Sequence, residues 1–422
     1  MTNENHHIAR NISVSRPRNR QSRPSGKNDL PANIVRYFMD LDKQDWGSTF
    51  TKNWRALGEY NCPDTSTLSQ ILFTSAKVLM QRNKPKRRKM EKSAEFVRRN
   101  INLWENEALP KVSSFTPRQM VKSLWGYANF GLIPSKEFMD KFFECAEKKK
   151  DKFEFRDARM GLWSLARMGV IPRQDFIENS RKIIADNIDS LSASDIALVQ
   201  WSLAVLDSIE PNARYKEIYD EFRNAKDMDK ISVFEQKQMR DCDLWFCGET
   251  TLQNPFRTDN ENYNGSKLEN ELKNAFKRAS FKVEKPEQPL IPEFGQAIDF
   301  PVSDGKKTLW VEVDGPTHYM YRPSTKSVHY NGPTIFRSAL IHKFAPDQQV
   351  LRIGYKRIGE LLYSDFRVRK GACTKLFNIF TDKPPGVYGV NEPEQNRPTN
   401  IFVVAPRVPV NGNSAAAPPQ VA

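Results

Sequence analysis

Apolar and polar positions recur with a long period through the middle of the chain. Three tryptophans are equally spaced, and each is followed at fixed distances by an alanine and an isoleucine. These positions are Trp125, Ala128 and Ile133, then Trp163, Ala166 and Ile171, then Trp201, Ala204 and Ile209. A period of about 38 residues lies in the range, roughly 20–50, that is typical of stacked supersecondary units. The pattern therefore predicts an α-solenoid over residues 111–250.

Each repeat is predicted to fold as two helices. In the first helix, Leu124, Trp125 and Ala128 share one face at i, i+1 and i+4. Gly131 and Pro134 then interrupt the chain. The second copy repeats this break with Gly169 and Pro172, and the third has Asp207 and Pro211. Second helices are predicted at 137–149 and 175–188.

The tryptophan and alanine columns are interpreted as packing residues, because one hairpin cannot bury its apolar face alone. Function is expected on the other face of each helix, where polar positions vary between copies. A solvated face would vary in the same way. A fourth, degraded copy is predicted at 232–246, where Met239 follows Trp201 by one further period.

This repeated helical hairpin, with its Leu-Trp, Ala, Gly and Pro pattern, resembles the octotricopeptide repeat over residues 112–250. The resemblance implies RNA binding, with about one nucleotide read by each unit. Related helical-repeat proteins also read single-stranded bases. With three clear copies, we expect low sequence specificity.

The pattern of apolar and polar residues changes from Leu268 onward. Residues 268–279 have the spacing of an amphipathic helix, and strand-like runs follow at 296–302 and 308–314. Asp304-Gly305 between them is a hairpin turn signal. A two-residue loop there places Ile298, Phe300 and Val302 on one apolar face with Leu309, Val311 and Val313, and gathers Asp299, Glu312 and Asp314 on the opposite face.

Carboxylates gathered at strand ends can hold Mg²⁺ or Mn²⁺, because hard cations prefer oxygen ligands. Such an ion could polarise a phosphate and activate water. The alternative is an acidic strand face that holds no metal.

The segments VEVDGPTHY (311–319) and GPTIFRSALIHKF (332–344) resemble the RAP domain, which has an E-x-D-G-x-x-H segment followed by a G-x-T-x-x-K/R-x-x-x-L helix. Gly332, Thr334, Arg337 and Leu340 fill the second pattern. Residues 350–362 would supply the closing strand and helix. The resemblance implies a small restriction-endonuclease-like α/β domain over residues 265–368. RAP domains often follow helical repeats of this period.

The RAP domain is in turn similar to PD-(D/E)XK nucleases of the very-short-patch-repair type. That similarity implies a catalytic set whose first and second acids, Asp299 and Glu312, would also hold the metal. Glu269 would be the acid of the preceding helix, and His318 the downstream histidine. Asp314 departs from the family pattern, because a lysine that orients the attacking water usually stands there.

The net charge of +14 and the pI of about 9.4 favour a polyanionic partner, either nucleic acid or an anionic membrane surface. Two segments are candidate nucleic-acid contacts. The first is the basic run over residues 84–89, which is alternatively a nuclear import signal or a solvated linker. The second follows Tyr319 and is alternatively a surface loop. The candidates are Lys84, Lys86, Arg87, Arg88 and Lys89, followed by Tyr319, Tyr321, Arg322 and Lys326.

The flanking segments have little apolar content. Residues 1–29 are predicted to be a disordered basic tail or an organelle transit peptide, and residues 396–422 a disordered tail. Residues 30–110 are predicted to be irregular and helical. No run approaches the roughly 18 apolar residues of a membrane span, so no membrane is expected as a partner. The five cysteines form no metal-ligand cluster.

The predicted fold is a multidomain α+β protein, in which an α-solenoid precedes a small α/β domain. We expect an RNA-binding protein that acts on single-stranded RNA, rRNA or mRNA in processing, stability or translation. The alternatives are a metal-dependent endoribonuclease, with Mg²⁺ or Mn²⁺ as cofactor, and a protein-interaction scaffold. The compartment stays open between a mitochondrion or other organelle, a bacterial cytoplasm, and a host nucleus reached by a secreted effector.

Overall fold

The computed structural model describes residues 64–80, 97, 100–225, 231–250, 252, 266–284, 298–363, 366–390 and 401–403. The fold is mixed α+β and mostly helical, with a small mixed sheet in the C-terminal part. The α+β class predicted from the sequence is therefore confirmed. The basic run 84–89 and the tail 1–29 lie outside the described residues.

The N-terminal part of the described chain is helical. Residues 100–108 are also helical, and a 3₁₀ turn follows at Leu109–Ser114. The labelled helices are α1 (Thr65–Met80), α2 (Pro117–Phe130), α3 (Lys136–Lys148), α4 (Phe155–Met168), α5 (Gln174–Asp186), α6 (Ala193–Ile209), α7 (Ala213–Phe222) and α8 (Val233–Cys247).

Local sequence fixes where the repeated helices begin and end. Thr116, Glu154 and Ser192 are equally spaced, and each precedes a first helix with a reciprocal capping box. Gly131 and Gly169 end α2 and α4 in the left-handed conformation, with φ of 70° and 68°. Glycine adopts that conformation without the strain caused by a Cβ atom.

The first helices of the repeats pack side by side, with α2 against α4, α4 against α6 and α6 against α8, and α1 packs against α2. Ala128, Ala166 and Ala204 are buried, as predicted for the alanine column. The second helices α3 and α5 also contact each other, and they fall within one or two residues of their predicted limits.

The third and fourth copies depart from the repeat. Helix α6 continues through Asp207, and the Asp207 carboxylate accepts hydrogen bonds from Trp245 Nε1 and Asn212 N, both at 2.8 Å. The cap of α8, Ser232, lies two positions later than equal spacing from Ser192 would place it. Counted from the caps, Asp241 is therefore the equivalent of Trp201, and the assignment of Met239 was wrong.

The C-terminal part is built on one sheet flanked by helices. Its elements are α9 (Lys267–Arg278), β1 (Lys282–Val283), β2 (Phe300–Ser303), β3 (Thr308–Asp314), β4 (Tyr319–Arg322), β5 (Ser327–Tyr330), α10 (Gly332–Phe344), β6 (Gln349–Gly354), α11 (Tyr355–Tyr363), α12 (Phe366–Thr381), β7 (Gly386–Val390) and β8 (Ile401–Val403).

The sheet has the order β1-β2-β3-β6-β7-β8, in which β3-β6 and β6-β7 are parallel and the other pairs are antiparallel. Strands β2 and β3 pair Ser303 with Thr308, so their loop holds four residues instead of the predicted two. The resulting shift of register is even, and an even shift leaves the paired side chains of residues 300–303 and 308–311 on their predicted faces.

The two sides of the sheet are covered differently. Phe300, Val302, Leu309 and Val311 pack with α9, α11 and α12 in one apolar cluster. The other side faces α10 and the helical repeats. Ile298 precedes β2 and packs into that second cluster, so it does not share the face of Phe300 as predicted.

The α/β part extends beyond its predicted limit at residue 368. Helix α12 packs on β3 and β6, and β7 pairs with β6. Residues 401–403, inside the tail predicted to be disordered, pair with β7 as an edge strand. Among the described residues, no helix combines the length and apolar character needed to cross a membrane.

The repeats and the α/β part are in direct contact. Helix α10 packs against α4, α6 and α8. A Cβ atom added to Gly332 would lie 1.8 Å from the Ala166 carbonyl oxygen and 2.7 Å from Val205 Cγ1. The backbone of Tyr321 exchanges hydrogen bonds with Gly131 and Ile133 in the first repeat. The absence of a side chain at Gly332 therefore allows α10 to approach α4 and α6 closely.

Candidate functional site

The predicted acidic residues converge around the end of β3. Strand β3 carries Glu312 and Asp314, and the neighbouring strand β6 places Arg352 directly beside Glu312. This position on the charged side of the sheet brings a remote arginine into contact with both acids.

Asp314 and Arg352 form a buried ion pair. Arg352 Nε lies 3.0 Å from Asp314 Oδ2, and Nη2 lies 2.5 Å from Oδ1. Both side chains are fully buried. This two-point pairing occupies both oxygens of the Asp314 carboxylate.

Glu312 is paired with a second arginine. Its Oε1 accepts hydrogen bonds from Arg337 Nε at 3.2 Å and Nη2 at 2.5 Å, and its Oε2 lies 3.9 Å from Arg352 Nη2. Burial acts to raise the pKa of Glu312, but the charges of Arg337 and Arg352 outweigh it and lower the pKa. Glu312 is therefore a carboxylate held between two guanidinium groups.

Asp299 lies next to Glu312 and differs from it in protonation. Its Oδ2 accepts a hydrogen bond from Val313 N at 2.7 Å. Burial, followed by the charge of Glu312, raises the pKa of Asp299 to about 7. The charge of Glu269 raises it further. The two neighbouring carboxyls consequently share one negative charge over much of the acidic pH range.

Glu269 and His318 complete the predicted set. Glu269 is buried on α9 and pairs with Lys273 at 2.5 Å. His318 Nδ1 lies 3.1 Å from Thr334 Oγ1 and 3.2 Å from Asp314 Oδ1. Burial lowers the pKa of His318 despite the nearby Asp314 carboxylate.

The residues present do not fit the predicted Mg²⁺ or Mn²⁺ site. Both oxygens of Asp314 and one oxygen of Glu312 accept hydrogen bonds from arginines, and Asp299 has a raised pKa. Within the described part of the chain, no group of three His, Cys, Asp or Glu side chains has metal-binding geometry. A divalent cation would have to displace Arg337 and remove a proton from Asp299.

These charged side chains are called the charged cluster below: Glu269, Lys273, Asp299, Glu312, Asp314, His318, Arg337 and Arg352. A cleft of about 760 Å³ lies beside this cluster. The helices α4, α6 and α8 supply one set of lining side chains, and α10 with the segments before it supplies the other. His318 and Arg337 belong to the second set. The charged cluster therefore meets the cleft through a histidine and an arginine.

Among the described residues that line the cleft, cations outnumber acids. Its cationic residues are Arg159, Arg167, Lys237 and Arg337, and its acidic residues are Glu235 and Asp241. Arg159 pairs with Asp195, and Lys237 lies 3.6 Å from Asp241. Arg167 has no hydrogen-bond or ion-pair partner among the described residues, and burial lowers its pKa. An anionic ligand in the cleft would supply that missing partner.

Aromatic side chains accompany these cations. Trp163 and Trp201 line the cleft, and Phe234 lies there with 65% of its surface exposed. The tryptophan column was interpreted as packing. Trp201 is indeed buried, while Trp163 is half-buried and its ring centroid lies 6.5 Å from that of Trp125. The same column therefore serves both packing and the surface of the cleft.

The other predicted nucleic-acid contacts lie elsewhere. Strands β4 and β5 form a hairpin in which Tyr319 stacks on Tyr330 at 5.0 Å and Tyr321 is bound to the first repeat. Arg322 is half-buried beside its turn, and Lys326 is exposed in it. None of the four predicted hairpin residues lines the cleft.

Sequence reasoning missed the basic residues of the cleft, although the signal was present. Arg159, Trp163 and Arg167 recur at i, i+4 and i+8, so they form one stripe on α4. An aromatic residue with an arginine one turn to either side is the pattern expected of a base-stacking and phosphate-binding surface. Arg352 carried no such local signal, because its partners come from β3.

No protein-family model matches this chain, and no curated protein matches it at a significant level. Its function is therefore inferred from the fold and from the geometry of the cleft.

Proposed function

We propose that this protein binds single-stranded RNA in the cleft between the helical repeats and α10. The observation that carries the proposal is the stripe of Arg159, Trp163 and Arg167, in which Arg167 has no partner among the described residues. Bases would stack on Trp163 and on the exposed Phe234, and the arginines would contact phosphates.

The size and charge of the cleft support a short single-stranded segment as the ligand. Its volume of about 760 Å³ lies within the range of roughly 300–1,000 Å³ typical of sites for small ligands. A few nucleotides fit such a volume, whereas an intact duplex keeps its bases stacked and unavailable to aromatic side chains. The net charge of +14 favours association with any RNA.

The repeat resemblance extends this proposal. The side-by-side packing of α1, α2, α4, α6 and α8 supports a short α-solenoid of octotricopeptide type. The order of β1, β2, β3 and β6 with α9 and α10 supports a RAP-type domain. Proteins with this architecture would act in RNA processing, stability or translation.

The two alternatives have less support. A metal-dependent endoribonuclease requires free carboxylates, and those of Glu312 and Asp314 are paired with arginines. A protein-interaction scaffold does not require a partly buried cation such as Arg167, which has no partner among the residues that the structure describes. Both alternatives remain outcomes of the test below.

The test is a fluorescence anisotropy titration with labelled single-stranded RNA of mixed sequence, and with a duplex of the same sequence. The wild-type protein is expected to prefer the single strand. Trp163→Ala and Arg167→Ala should each weaken binding by roughly tenfold, since one stacked base or one charged hydrogen bond contributes about 1–3 kcal/mol.

Two matched variants control this experiment. Trp125→Ala removes the equivalent tryptophan of the first repeat, which does not line the cleft, and Arg156→Ala removes an exposed charge from the same helix as Arg167. Both should bind nearly as the wild type does. Equal losses in all four variants would refute the cleft. Metal-dependent shortening of the RNA on a gel would favour the nuclease instead.

A further inference from the structure

In the charged cluster, Glu312 and Asp314 are buried, and their partners Arg337 and His318 lie between them and the cleft. Glu312 and Asp314 have exposed side-chain fractions of 7% and 0%. Their partners Arg337 and His318 have fractions of 29% and 35%, and both line the cleft. A ligand in the cleft therefore meets the guanidinium of Arg337 and the imidazole of His318 before it meets the carboxylates of Glu312 and Asp314.

The charges of the cluster nearly balance without any added ion. Glu269 is neutralised by Lys273, Asp314 by Arg352, and Glu312 by Arg337. Asp299 resists ionisation because of the surrounding burial and the charge of Glu312. A second cation in the cluster would be repelled by Arg337 and Arg352, which already neutralise Glu312 and Asp314.

We propose that the buried acids hold Arg337 as a phosphate-binding group for RNA. The inference rests on the proposed function and adds which chemical group of the RNA is bound and by which side chain. Glu312 fixes the guanidinium plane through Nε and Nη2, which orients the fork of donors. Glu312 is thus a positioning residue, and Arg337 contacts the ligand.

A second arginine of the cleft supports this assignment independently. Arg167 comes from the repeats and Arg337 from α10, yet both line the same cleft. Two guanidinium groups contributed by two parts of the chain can bind neighbouring phosphates of one strand. The charged cluster therefore presents a phosphate-binding arginine to the cleft. Its buried acids hold that arginine in place, and this role does not require them to be catalytic.

The experiment measures RNA affinity against salt concentration for the wild type, Arg337→Ala, Arg337→Lys and Glu312→Gln. Loss of one phosphate contact lowers the slope of log K against log salt by about one, so Arg337→Ala should show this change with roughly 5- to 10-fold weaker binding at low salt. Arg337→Lys should retain the slope but not the full affinity, because lysine lacks the planar fork.

Glu312→Gln distinguishes positioning from a merely structural role. The arginine keeps its charge in this variant, so the salt slope should match the wild type while the affinity falls several-fold. Circular dichroism melting of each variant identifies any loss of fold, and Arg337→Lys keeps the test valid if Arg337→Ala unfolds.

Two results would overturn the inference. The first is an unchanged slope and affinity in both Arg337 variants while Arg167→Ala and Trp163→Ala still lose binding, which leaves the proposed function standing. The second is calorimetric binding of Mn²⁺ by the wild type that Glu312→Gln abolishes. If Trp163→Ala and Arg167→Ala also bind as the wild type does, the proposed function itself fails.

Discussion

The buried serines of the repeats and the buried acids of β3 find their hydrogen-bond partners over different distances along the chain. In the first helices of the repeats, Ser123, Ser164 and Ser202 are fully buried. Each hydroxyl donates to the carbonyl oxygen one turn earlier in its own helix, at 2.7–2.9 Å. On β3, by contrast, the buried carboxylates depend on Arg337 and Arg352, which belong to later elements.

This difference separates two kinds of stability. A buried hydroxyl that bonds to its own helix requires only that the helix forms. A buried ion pair requires that two remote elements meet in one geometry, and removing one partner leaves an uncompensated charge. Substitutions in the β3 ion pairs should therefore cost more free energy of unfolding than substitutions of the buried serines.

The largest effect is expected from Arg352→Ala. The substitution leaves the fully buried carboxylate of Asp314 without its partner and deprives Glu312 of a second positive charge. We expect a loss of about 3–5 kcal/mol in the free energy of unfolding, measured by denaturant titration. The double variant Arg352→Met/Asp314→Asn should lose clearly less than Arg352→Ala. An equal loss in both would show that packing, not charge, accounts for the effect.

A smaller loss is expected from Gly332→Ala at the contact between the two parts. The added methyl group would overlap the Ala166 carbonyl oxygen, which is backbone and cannot rotate away. We expect a loss of about 1–3 kcal/mol together with weaker RNA binding, because α10 lines the cleft. Gly371→Ala is the matched control, since nothing lies within 4 Å of its added Cβ. Unchanged stability and binding in Gly332→Ala would mean that α10 docks differently.

The third repeat has Asp207 at the position where the first two repeats have a glycine that ends the helix. Asp207→Ala tests whether the hydrogen bonds of this residue hold α8 on α6. The substitution removes the acceptor of Trp245 Nε1 and Asn212 N. We expect a loss of about 1–2 kcal/mol by thermal or chemical unfolding. Asp207→Asn keeps an acceptor oxygen and should lose less. If Asp207→Ala instead matches the wild type, these hydrogen bonds do not hold α8 on α6.

An effect confined to a pH window is expected for Asp299→Asn. The raised pKa of about 7 means that the folded protein keeps a proton that the unfolded chain releases near pH 4. Wild-type stability should therefore fall as the pH rises from about 4 to 7, and the variant should lack this decrease. Melting temperatures at pH 4 and pH 8 provide the comparison. A variant that is less stable than the wild type at pH 8 would contradict the assigned protonation.

Much of the fold could be predicted from local signals. The equal spacing of the repeats, the left-handed Gly131 and Gly169, and the alternation along β3 can each be read from the order of residues alone. The register of the hairpin was less secure, because Asp304 accepts hydrogen bonds from Lys306 N and Lys307 N and extends the loop. The length of the loop changed, but the faces of β3 did not.

The candidate site was predicted only in part. The structure brings Glu269, Asp299, Glu312, Asp314 and His318 together, but it gives Glu269, Glu312 and Asp314 basic partners instead of a metal-binding geometry. The cleft was not predicted, because its lining comes from α4, α6, α8 and α10, which are far apart in the sequence. The spacing of Arg159, Trp163 and Arg167 could be seen in the sequence, but helix packing explains a tryptophan at that position equally well.

The helical repeats, their caps and breaks, and the acidic positions of β3 follow from the order of residues, because each depends on interactions within a few positions of the chain. What those acids do depends on how remote elements pack. Arg352 reaches Asp314 through the parallel pairing of β3 and β6, and Arg337 reaches Glu312 from α10. A carboxylate acts as a metal ligand or as the support of an arginine according to which cation lies nearest, and no local pattern fixes that distance.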